Sequence, residues 1–241
     1  MRLDQAIAQR YPEISRRKAR ELISQWRVLV NDRPVAVASR EVAEGDRITI
    51  VEELPELEIL REERDWVAVN KPSGLATQPM RDRQQRSLEE LLRVKYREIY
   101  VIHRIDTQTS GVVVFARTRK AAARLSELFA SREVHKIYLA VIEGAIDHVT
   151  TIESPVGGKD AHTIIRPLKS LGETTLVSAE IRTGRTHQIR IHLKSIERPV
   201  VGDRRYGSTI AAPRMLLHAW QLEHASLGNI TAPPPAEFPS L

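Results

Sequence analysis

The N-terminal part of the chain shows the hydrophobic spacing of an amphipathic helix. From Ser15, a residue type that caps helices, apolar residues fall at i, i+3, i+4 and i+7 and predict one buried stripe. A charge run on a helix is usually a solvated face, so the pattern alone leaves open whether the opposite, basic face binds a partner. The stripe consists of Ala19, Leu22, Ile23 and Trp26, and the basic face of Arg16, Arg17, Lys18 and Arg20.

Short elements around this helix complete a small unit, and we expect residues 1–53 to fold as α+β. The acidic stretch that follows contains Pro55 and predicts a linker over residues 54–64. The other elements of the unit are an earlier helix through Leu3, Ile7 and Ala8, a strand-turn-strand hairpin in RVLVNDRPV (27–35) and a strand in DRITIV (46–51).

Residues 65–241 mostly show the apolar runs and alternations of strands. The pattern predicts an α+β fold with a mixed, largely antiparallel sheet and flanking helices. One helix is predicted in RKAAARLSELF (119–129), with Leu125, Leu128 and Phe129 facing inward. Strands are predicted in WVAVNK (66–71), in VVVFA (112–116) after Gly111, in KIYLAVIE (136–143) with Tyr138, Ala140 and Ile142 on one face, and on either side of Thr183-Gly184-Arg185 in TTLVSAEIRTGRTHQIRIHL (174–193).

Composition narrows the function classes. The 241 residues contain no cysteine, which excludes disulfides, thiolate chemistry and cysteine-ligated metal sites. No segment approaches the ~18 consecutive apolar residues of a membrane span, and the N-terminus is charged where a signal peptide would be apolar. We therefore expect a cytoplasmic protein with no membrane partner. The 37 Lys and Arg against 31 Asp and Glu give a net charge of +6, which favours a polyanionic partner.

The spacing of the motif residues argues against kinase-type phosphoryl transfer and against a histidine metal site. A lysine-ending strand followed by HRID invites comparison with protein kinases, but an isoleucine separates Arg104 from Asp106, and no glycine-rich phosphate loop or D-F-G is present. His187 and His192 lie five residues apart, which on the predicted strand puts them on opposite faces, and no acidic cluster is near them. We expect neither nucleotide nor metal as a cofactor.

The acid in HRIDTQTSG (103–111) has several readings when it is taken alone. Asp106 can form the turn, pair with a surface arginine or be a reactive group, and the turn is the commonest of these. Tyr138 can be a core residue with its hydroxyl at the rim. Arg185 and Arg190 can be ordinary strand arginines on a solvated face. Composition and periodicity do not choose among these readings.

Three segments together resemble the RluA family of pseudouridine synthases. HRIDTQTSG is similar to the family's H-R-L-D-x-x-T-S-G, REVHKIYLAVIEG (132–144) to its R-x-V-x-K-x-Y-x-A-x-V-x-G, and TGRTHQIRIHL (183–193) to its T-G-R-T-H-Q-I-R-V-H. NKPSGL, PVVGDRRYG and RMLLHAWQL fit the flanking patterns in the same order. The resemblance covers about residues 57–235.

The first 53 residues resemble the S-four type RNA-binding domain, a common partner of this family. Two helices, a hairpin similar to G-R-V-L-V-N-G and a closing strand in GDRI (45–48) carry this resemblance. It implies contacts with RNA through shape and phosphates. The implied RNA-binding residues of the basic helix are Arg16, Arg17, Lys18 and Arg20.

The RluA resemblance implies an enzyme that converts selected uridines in RNA to pseudouridine without a cofactor, in a catalytic domain with a central cleft. Asp106 matches the catalytic aspartate, Tyr138 the tyrosine that stacks on uracil, and Arg190 the arginine that pairs with the aspartate. Arg104 matches a residue that handles the flipped nucleotide, and Arg185 is a weaker candidate for a phosphate or structural contact. We expect a monomer that acts on ribosomal RNA of the large subunit, with transfer RNA as the other possible substrate. The alternative function is a non-catalytic RNA-binding or ribosome-assembly protein of the same fold.

Overall fold

The structure is a computed structural model that describes residues 1–25, 27–31, 33–35, 38–51, 57–80 and 87–240. It contains two compact units, and each is described by itself. The first unit comprises Met1–Leu57 and Gln78–Lys95, and the second comprises Glu58–Thr77 and Tyr96–Leu241. No helix in the described ranges is long and apolar enough to cross a membrane.

The first unit has the α+β organisation that the sequence predicts. Ser15 caps the second helix, because its Oγ accepts a hydrogen bond from the Lys18 N–H at 3.2 Å. Three residues of the predicted stripe are buried, whereas Trp26 lies outside the described residues, as does Asp32 of the hairpin. The strands form an antiparallel sheet in the order β2-β1-β3. The elements are α1 (Leu3–Arg10), α2 (Arg16–Ser24), β1 (Val28–Val30), β2 (Arg33–Pro34), β3 (Ile48–Ile50) and α3 (Leu88–Lys95).

The second unit is built on one ten-stranded sheet in the order β4-β5-β7-β12-β8-β11-β10-β9, with β6 paired to β7 and β13 to β12. The β7–β12 pair is parallel and the other pairs are antiparallel, which confirms the mixed, largely antiparallel α+β fold. Its elements are β4 (Ile59–Glu62), β5 (Trp66–Lys71), β6 (Tyr100–Val101), β7 (Ser110–Ala116), α4 (Arg119–Ala130), β8 (His135–Glu143), β9 (Thr150–Ile152), β10 (Thr163–Ser170), β11 (Thr174–Ile181), α5 (Gln188–Ser195), β12 (Leu217–His224) and β13 (Gly228–Thr231), with a 3-10 turn at Arg204–Tyr206.

Two helices cover hydrophobic clusters of the sheet. Helix α4 buries Leu125 and packs Leu128 and Phe129 against the first cluster, as its spacing predicts. Helix α5 packs Ile189 and Leu193 against the second cluster. The predicted inward face of β8 belongs to this second cluster: Tyr138, Ala140 and Ile142.

The prediction of a second strand after Thr183-Gly184-Arg185 is wrong, because the segment forms helix α5. Its apolar residues alternate with polar ones, which imitates a strand. In the structure Ile189 and Leu193, four residues apart, pack in the core, and the intervening Arg190 and His192 are also buried with polar partners. Because polar side chains are buried beside apolar ones, the helical period is not visible in the hydrophobic pattern. Neither Arg185 nor Arg190 lies on a strand.

The proposed linker at residues 54–64 overlaps a strand. Residues 52–56 lie outside the described ranges, but β4 pairs antiparallel with β5 in the large sheet. The division into 1–53, 54–64 and 65–241 stays a prediction.

Candidate active site

Asp106 lies in the loop between β6 and β7, and backbone contacts fix this loop. The carbonyl of Asp106 accepts the Thr109 N–H at 3.0 Å, which closes a turn. The Thr77 hydroxyl bridges the backbone of Ile105, since it donates to the carbonyl at 3.1 Å and accepts from the N–H at 3.3 Å. The Ser73 hydroxyl donates to the Gln108 carbonyl at 2.6 Å. The turn after β5 therefore holds the segment on both sides of Asp106.

Gly111 is required where this loop enters β7. Its φ is +113°, and it lies opposite Ala219 in the parallel β7–β12 pair. A Cβ at Gly111 would meet the Ala219 carbonyl oxygen at 2.1 Å, which no side chain can tolerate. Glycine at the end of the HRIDTQTSG segment thus allows β12 to approach the strand that follows Asp106.

Lys71, at the end of β5, is a buried cation beneath the Asp106 loop. Its Nζ donates to the carbonyls of Pro72 at 3.0 Å, Leu75 at 2.6 Å and Thr107 at 3.1 Å. Burial lowers the Lys71 pKa to about 7, and the nearby Asp106 carboxylate opposes that shift. As a flanking pattern, NKPSGL did not predict this position for Lys71. A lysine at the end of a continuous apolar strand was the available signal.

Arg190 projects from α5 and joins two carboxylates. Its Nη1 donates to Asp106 Oδ2 at 3.1 Å, while Nε and Nη2 donate to the two oxygens of Asp203 at 2.6 and 2.9 Å. Burial alone would lower the pKa of Arg190, but the hydrogen bonds that it donates to Asp203 and Asp106 raise it above its ordinary value. The guanidinium is therefore permanently charged and fixed in direction. The RluA resemblance implies the Asp106 contact but assigns no role to Asp203, which lies after the apolar residues of PVVGDRRYG.

The Asp106 side chain is 23% exposed, and within the described residues no hydrogen bond reaches its Oδ1. His187 Nε2 lies 3.8 Å from Oδ2, and its Nδ1 lies 2.9 Å from the Tyr206 hydroxyl. Burial lowers the His187 pKa, which favours a neutral ring. Arg190 also stacks over Tyr206, with 4.8 Å from its guanidinium carbon to the ring centroid. One oxygen of Asp106 thus faces charged and polar partners, and the other is open to a ligand.

Tyr138 on β8 lies close enough to Asp106 for the carboxylate charge to affect its phenol. Burial, and secondly the Asp106 carboxylate, raise the pKa of the Tyr138 phenol, so it stays neutral. Its hydroxyl has no hydrogen-bond partner in the part of the chain that the structure describes. The structure therefore brings together Asp106, Tyr138 and Arg190 from a loop, a strand and a helix that are distant in sequence.

The other predicted residues of this unit occupy different surroundings. Arg104 is exposed beside Asp106 and makes no ion pair with any described residue. Arg185 lies in the turn before α5, where its Nε donates to the Asp160 carbonyl at 3.0 Å and its N–H to Gln188 Oε1 at 3.1 Å. Arg104 is thus free to meet a ligand, while Arg185 has a structural contact.

Two histidines of this unit make hydrogen bonds that support the structure. His192 is fully buried between Thr163 Oγ1 at 2.8 Å and the Ser154 carbonyl at 2.9 Å. His103 accepts the Val114 N–H through Nε2 at 2.9 Å. In the described ranges no group of three or more His, Asp or Glu side chains is arranged to hold a metal ion.

In the first unit, part of the basic face of α2 surrounds a buried acid. Asp4 is fully buried and pairs with Arg2, Arg16 and Arg20 at 3.1, 3.2 and 2.8 Å. Burial opposes ionisation, but hydrogen bonds from Arg20 and Arg2 hold the Asp4 pKa at about 2. The three guanidinium groups stay about half exposed.

The remaining predicted residues of the basic helix lie at its surface. Lys18 pairs with Glu21 at 2.9 Å, and Arg17 is exposed. Asp4 was not noticed in the sequence, because a single acid in the first helix carries no signal.

Comparison with known proteins shows the family of the chain. The family model for RNA pseudouridylate synthase matches residues 65–195, and the model for the S4 domain, here called the S-four type domain, matches residues 1–48. Ribosomal large subunit pseudouridine synthase D of Nitrosomonas europaea is 32% identical, over 95% of this chain and 79% of the relative. The protein of the same name from Escherichia coli K12 is also 32% identical, over 88% of this chain and 74% of the relative.

Solved structures give the same fold. Human RNA Pseudouridylate Synthase Domain Containing 1 is 27% identical with a TM-score of 0.63, and the match covers 76% of this chain and 84% of that one. Human RNA Pseudouridylate Synthase Domain Containing 4 has a TM-score of 0.64 at 23% identity, and the match covers 74% and 89%, so it supports the fold alone. The chain belongs to the RNA pseudouridylate synthase family, as the RluA resemblance predicts, and it is an RNA pseudouridine synthase with an S-four type domain at its N-terminus.

Proposed function

We propose that this enzyme isomerises selected uridines of large-subunit ribosomal RNA, with Asp106 as the catalytic residue. The observation that carries the proposal is the geometry of Asp106: Arg190 holds one carboxylate oxygen while the other is open. The names of the relatives from Nitrosomonas europaea and Escherichia coli support ribosomal RNA as the substrate. The reaction changes no oxidation state and expels no energy-rich group, so it requires neither cofactor nor ATP.

The reaction begins with extrusion of the uridine, because a stacked base hides its sugar carbon from the protein. Extrusion costs a few kcal/mol. Arg104, exposed beside Asp106, binds the rearranged RNA and the flipped nucleotide. The Tyr138 ring stacks on uracil, a contact typically worth ~1–3 kcal/mol, and still lets the base rotate in its plane. Arg185 contributes a phosphate contact or supports the turn before α5.

Asp106 acts on the sugar or the ring through its open oxygen, as a nucleophile or as a base. The N1–C1′ bond breaks, the base turns, and a C5–C1′ bond forms; a proton leaves C5 and one is added to N1. Atoms are conserved, as an isomerisation requires. Arg190 stabilises the carboxylate charge and fixes its direction through its second ion pair with Asp203.

The first unit supplies affinity for the RNA backbone. Arg16, Arg17, Lys18 and Arg20 contact phosphates, and Asp4 keeps two of them, Arg16 and Arg20, in place without neutralising the whole face. The enzyme acts as a monomer in the cytoplasm, with no membrane partner.

The test uses unmodified ribosomal RNA transcripts, with chelator and without ATP, followed by mapping of pseudouridine. We expect conversion by the natural protein, no conversion by Asp106→Asn, and normal conversion by the control Asp160→Asn, an exposed acid. Absence of pseudouridine with the natural protein would overturn the rRNA proposal. Full activity of Asp106→Asn would overturn the role of Asp106. RNA binding without conversion would support the non-catalytic alternative.

A further inference from the structure

We infer that Lys136 binds a backbone phosphate of the RNA beside the flipped uridine, an inference that rests on the proposed function. Lys136 lies on β8, two residues before Tyr138. Because side chains alternate along a strand, both residues face the same side of the sheet. Lys136 retains only 8% of its surface.

The amine of Lys136 has no acceptor in the part of the chain that the structure describes. No carboxylate lies within ion-pair distance of its Nζ, and no oxygen lies within hydrogen-bond distance. Lys71, which is also buried, donates to three carbonyls. A buried polar group without a partner destabilises the protein, and a charged one does so more strongly. An acceptor supplied by a ligand removes this destabilisation.

Among the described residues, no acidic side chain pairs with Lys136. Its Nζ lies 5.5 Å from the centroid of the Phe129 ring, and that ring stacks on His103 at 4.4 Å. His103 is neutral, because burial lowers its pKa to about 3. Glu180 on the neighbouring strand contacts His135 at 3.2 Å and two arginines at 3.6 Å. Glu180 is thus paired with other cations.

The amine can reach a ligand. Among the described residues, the enclosed side-chain polar atoms without a hydrogen bond are His162 Nδ1 and Arg214 Nη2. Lys136 Nζ is not one of them, so it reaches the surface. Burial lowers the Lys136 pKa because it disfavours the ammonium, and a bound anion would oppose that shift.

Position selects a phosphate rather than another anionic group. In the proposed function Tyr138 contacts the base of the flipped uridine and Asp106 acts at its sugar or ring. Lys136 lies about 7 Å along the strand from Tyr138, since two residues rise by about 3.3 Å each. The groups of RNA adjacent to a sugar are its two phosphates. A lysine is a point charge suited to one phosphate oxygen.

A structural role for the Lys136 stem makes a different prediction. The methylene chain covers apolar surface, and the ammonium gains from the face of Phe129. Lys136→Met keeps an unbranched stem and removes the charge, whereas Lys136→Arg keeps the charge. The matched control is Lys169→Met at an exposed lysine of β10.

The experiment measures RNA affinity over a series of salt concentrations, with an unmodified RNA fragment that contains the uridine that the enzyme converts. We expect Lys136→Met to weaken affinity at least about tenfold, as for loss of a charge-assisted hydrogen bond. The slope of log affinity against log salt concentration should decrease in magnitude by the amount expected for one phosphate contact. Lys136→Arg should retain most of the affinity, and Lys169→Met should match the natural protein. A natural affinity and an unchanged slope in Lys136→Met would overturn the inference.

A neutral linkage locates the phosphate. The fragment is made with a methylphosphonate on one side or the other of the uridine that the enzyme converts. One of the two linkages should weaken binding by the natural protein and cause no further loss with Lys136→Met. Equal losses for both proteins at both linkages would overturn the inference. Should the natural protein form no pseudouridine, the proposed function itself fails. Conversion by the natural protein, together with natural affinity and salt slope in Lys136→Met, overturns the inference alone.

Discussion

Arg190 is held more completely by Asp203 than by Asp106. Two of its nitrogens donate to the Asp203 carboxylate at 2.6 and 2.9 Å, and a single nitrogen donates to Asp106 at 3.1 Å. The Arg190 and Asp203 side chains are only 8% and 2% exposed. Asp203 therefore anchors the guanidinium, and this anchoring leaves Asp106 with one open oxygen.

Asp203→Asn is expected to impair the reaction through Arg190. An amide accepts hydrogen bonds at one atom only and carries no charge, so the guanidinium will turn toward Asp106 and cover its open oxygen. We expect the single-turnover rate to fall at least about tenfold and the free energy of unfolding to fall by about 3 kcal/mol, as when one partner of a buried pair is removed. Rapid-quench kinetics and denaturant unfolding measure the two effects. If Asp203→Asn reacted at the rate of the natural protein, Asp203 would not position Arg190. Asp203→Glu, which keeps the charge, should recover part of the rate.

Lys71→Met is expected to loosen the Asp106 loop. The substitution leaves the carbonyls of Pro72, Leu75 and Thr107 without their shared donor. Below its pKa of about 7 the Lys71 amine is charged. Since hydrogen bonds to a charged group contribute ~1.5–3 kcal/mol each and are not additive, we expect a loss of about 2–4 kcal/mol in unfolding free energy in that pH range. Hydrogen exchange at Thr107 and Thr109 should accelerate more than exchange in β10. Unchanged exchange in this loop would show that Lys71 does not hold it.

His103 is expected to make stability depend on pH. Burial depresses its pKa from 6.5 to about 3, so below pH 6.5 the unfolded chain binds a proton that the folded chain does not. Its contribution is complete above pH 6.5 and is lost as pH falls toward about 3. We expect the unfolding free energy of His103→Gln to decline less over this window, by at least about 1.4 kcal/mol, the equivalent of one pKa unit. Urea unfolding at several pH values tests this, and parallel curves for the two proteins would refute it.

Asp4 is expected to stabilise the first unit at neutral pH. Its folded pKa of about 2 lies below the ordinary 3.8, so its contribution is complete above pH 3.8 and disappears as pH falls toward about 2. Asp4→Asn should therefore speed hydrogen exchange in α1 and α2 of the full chain at pH 7 and weaken RNA affinity, because three arginines lose their shared anchor.

Glu21→Gln, which removes the exposed pair with Lys18, is the control for Asp4→Asn and should change exchange little. Equal exchange rates in these two variants would mean that Asp4 does not organise the helices.

The local sequence pattern was sufficient to predict a residue's position wherever that position depends on the period of its own helix or strand. The Ser15 cap, the buried stripe of α2, the inward face of α4 and the shared face of Tyr138, Ala140 and Ile142 all follow from helical or strand period and are present in the structure. Motif order added the identity of Asp106, Tyr138 and Arg190 as candidates, whose roles stay predictions.

By itself, then, the sequence determined the α+β class, most elements and the family, since these depend on periodicity and on short ordered motifs. Only the tertiary structure decided that the segment with Arg190 is a helix, that Asp203 anchors Arg190, and that Lys71 lies beneath Asp106. The physical reason is distance along the chain: Arg190 and Asp106 are 84 residues apart, and burial with paired charges gives polar residues no periodic signature. Folding alone brings such partners together.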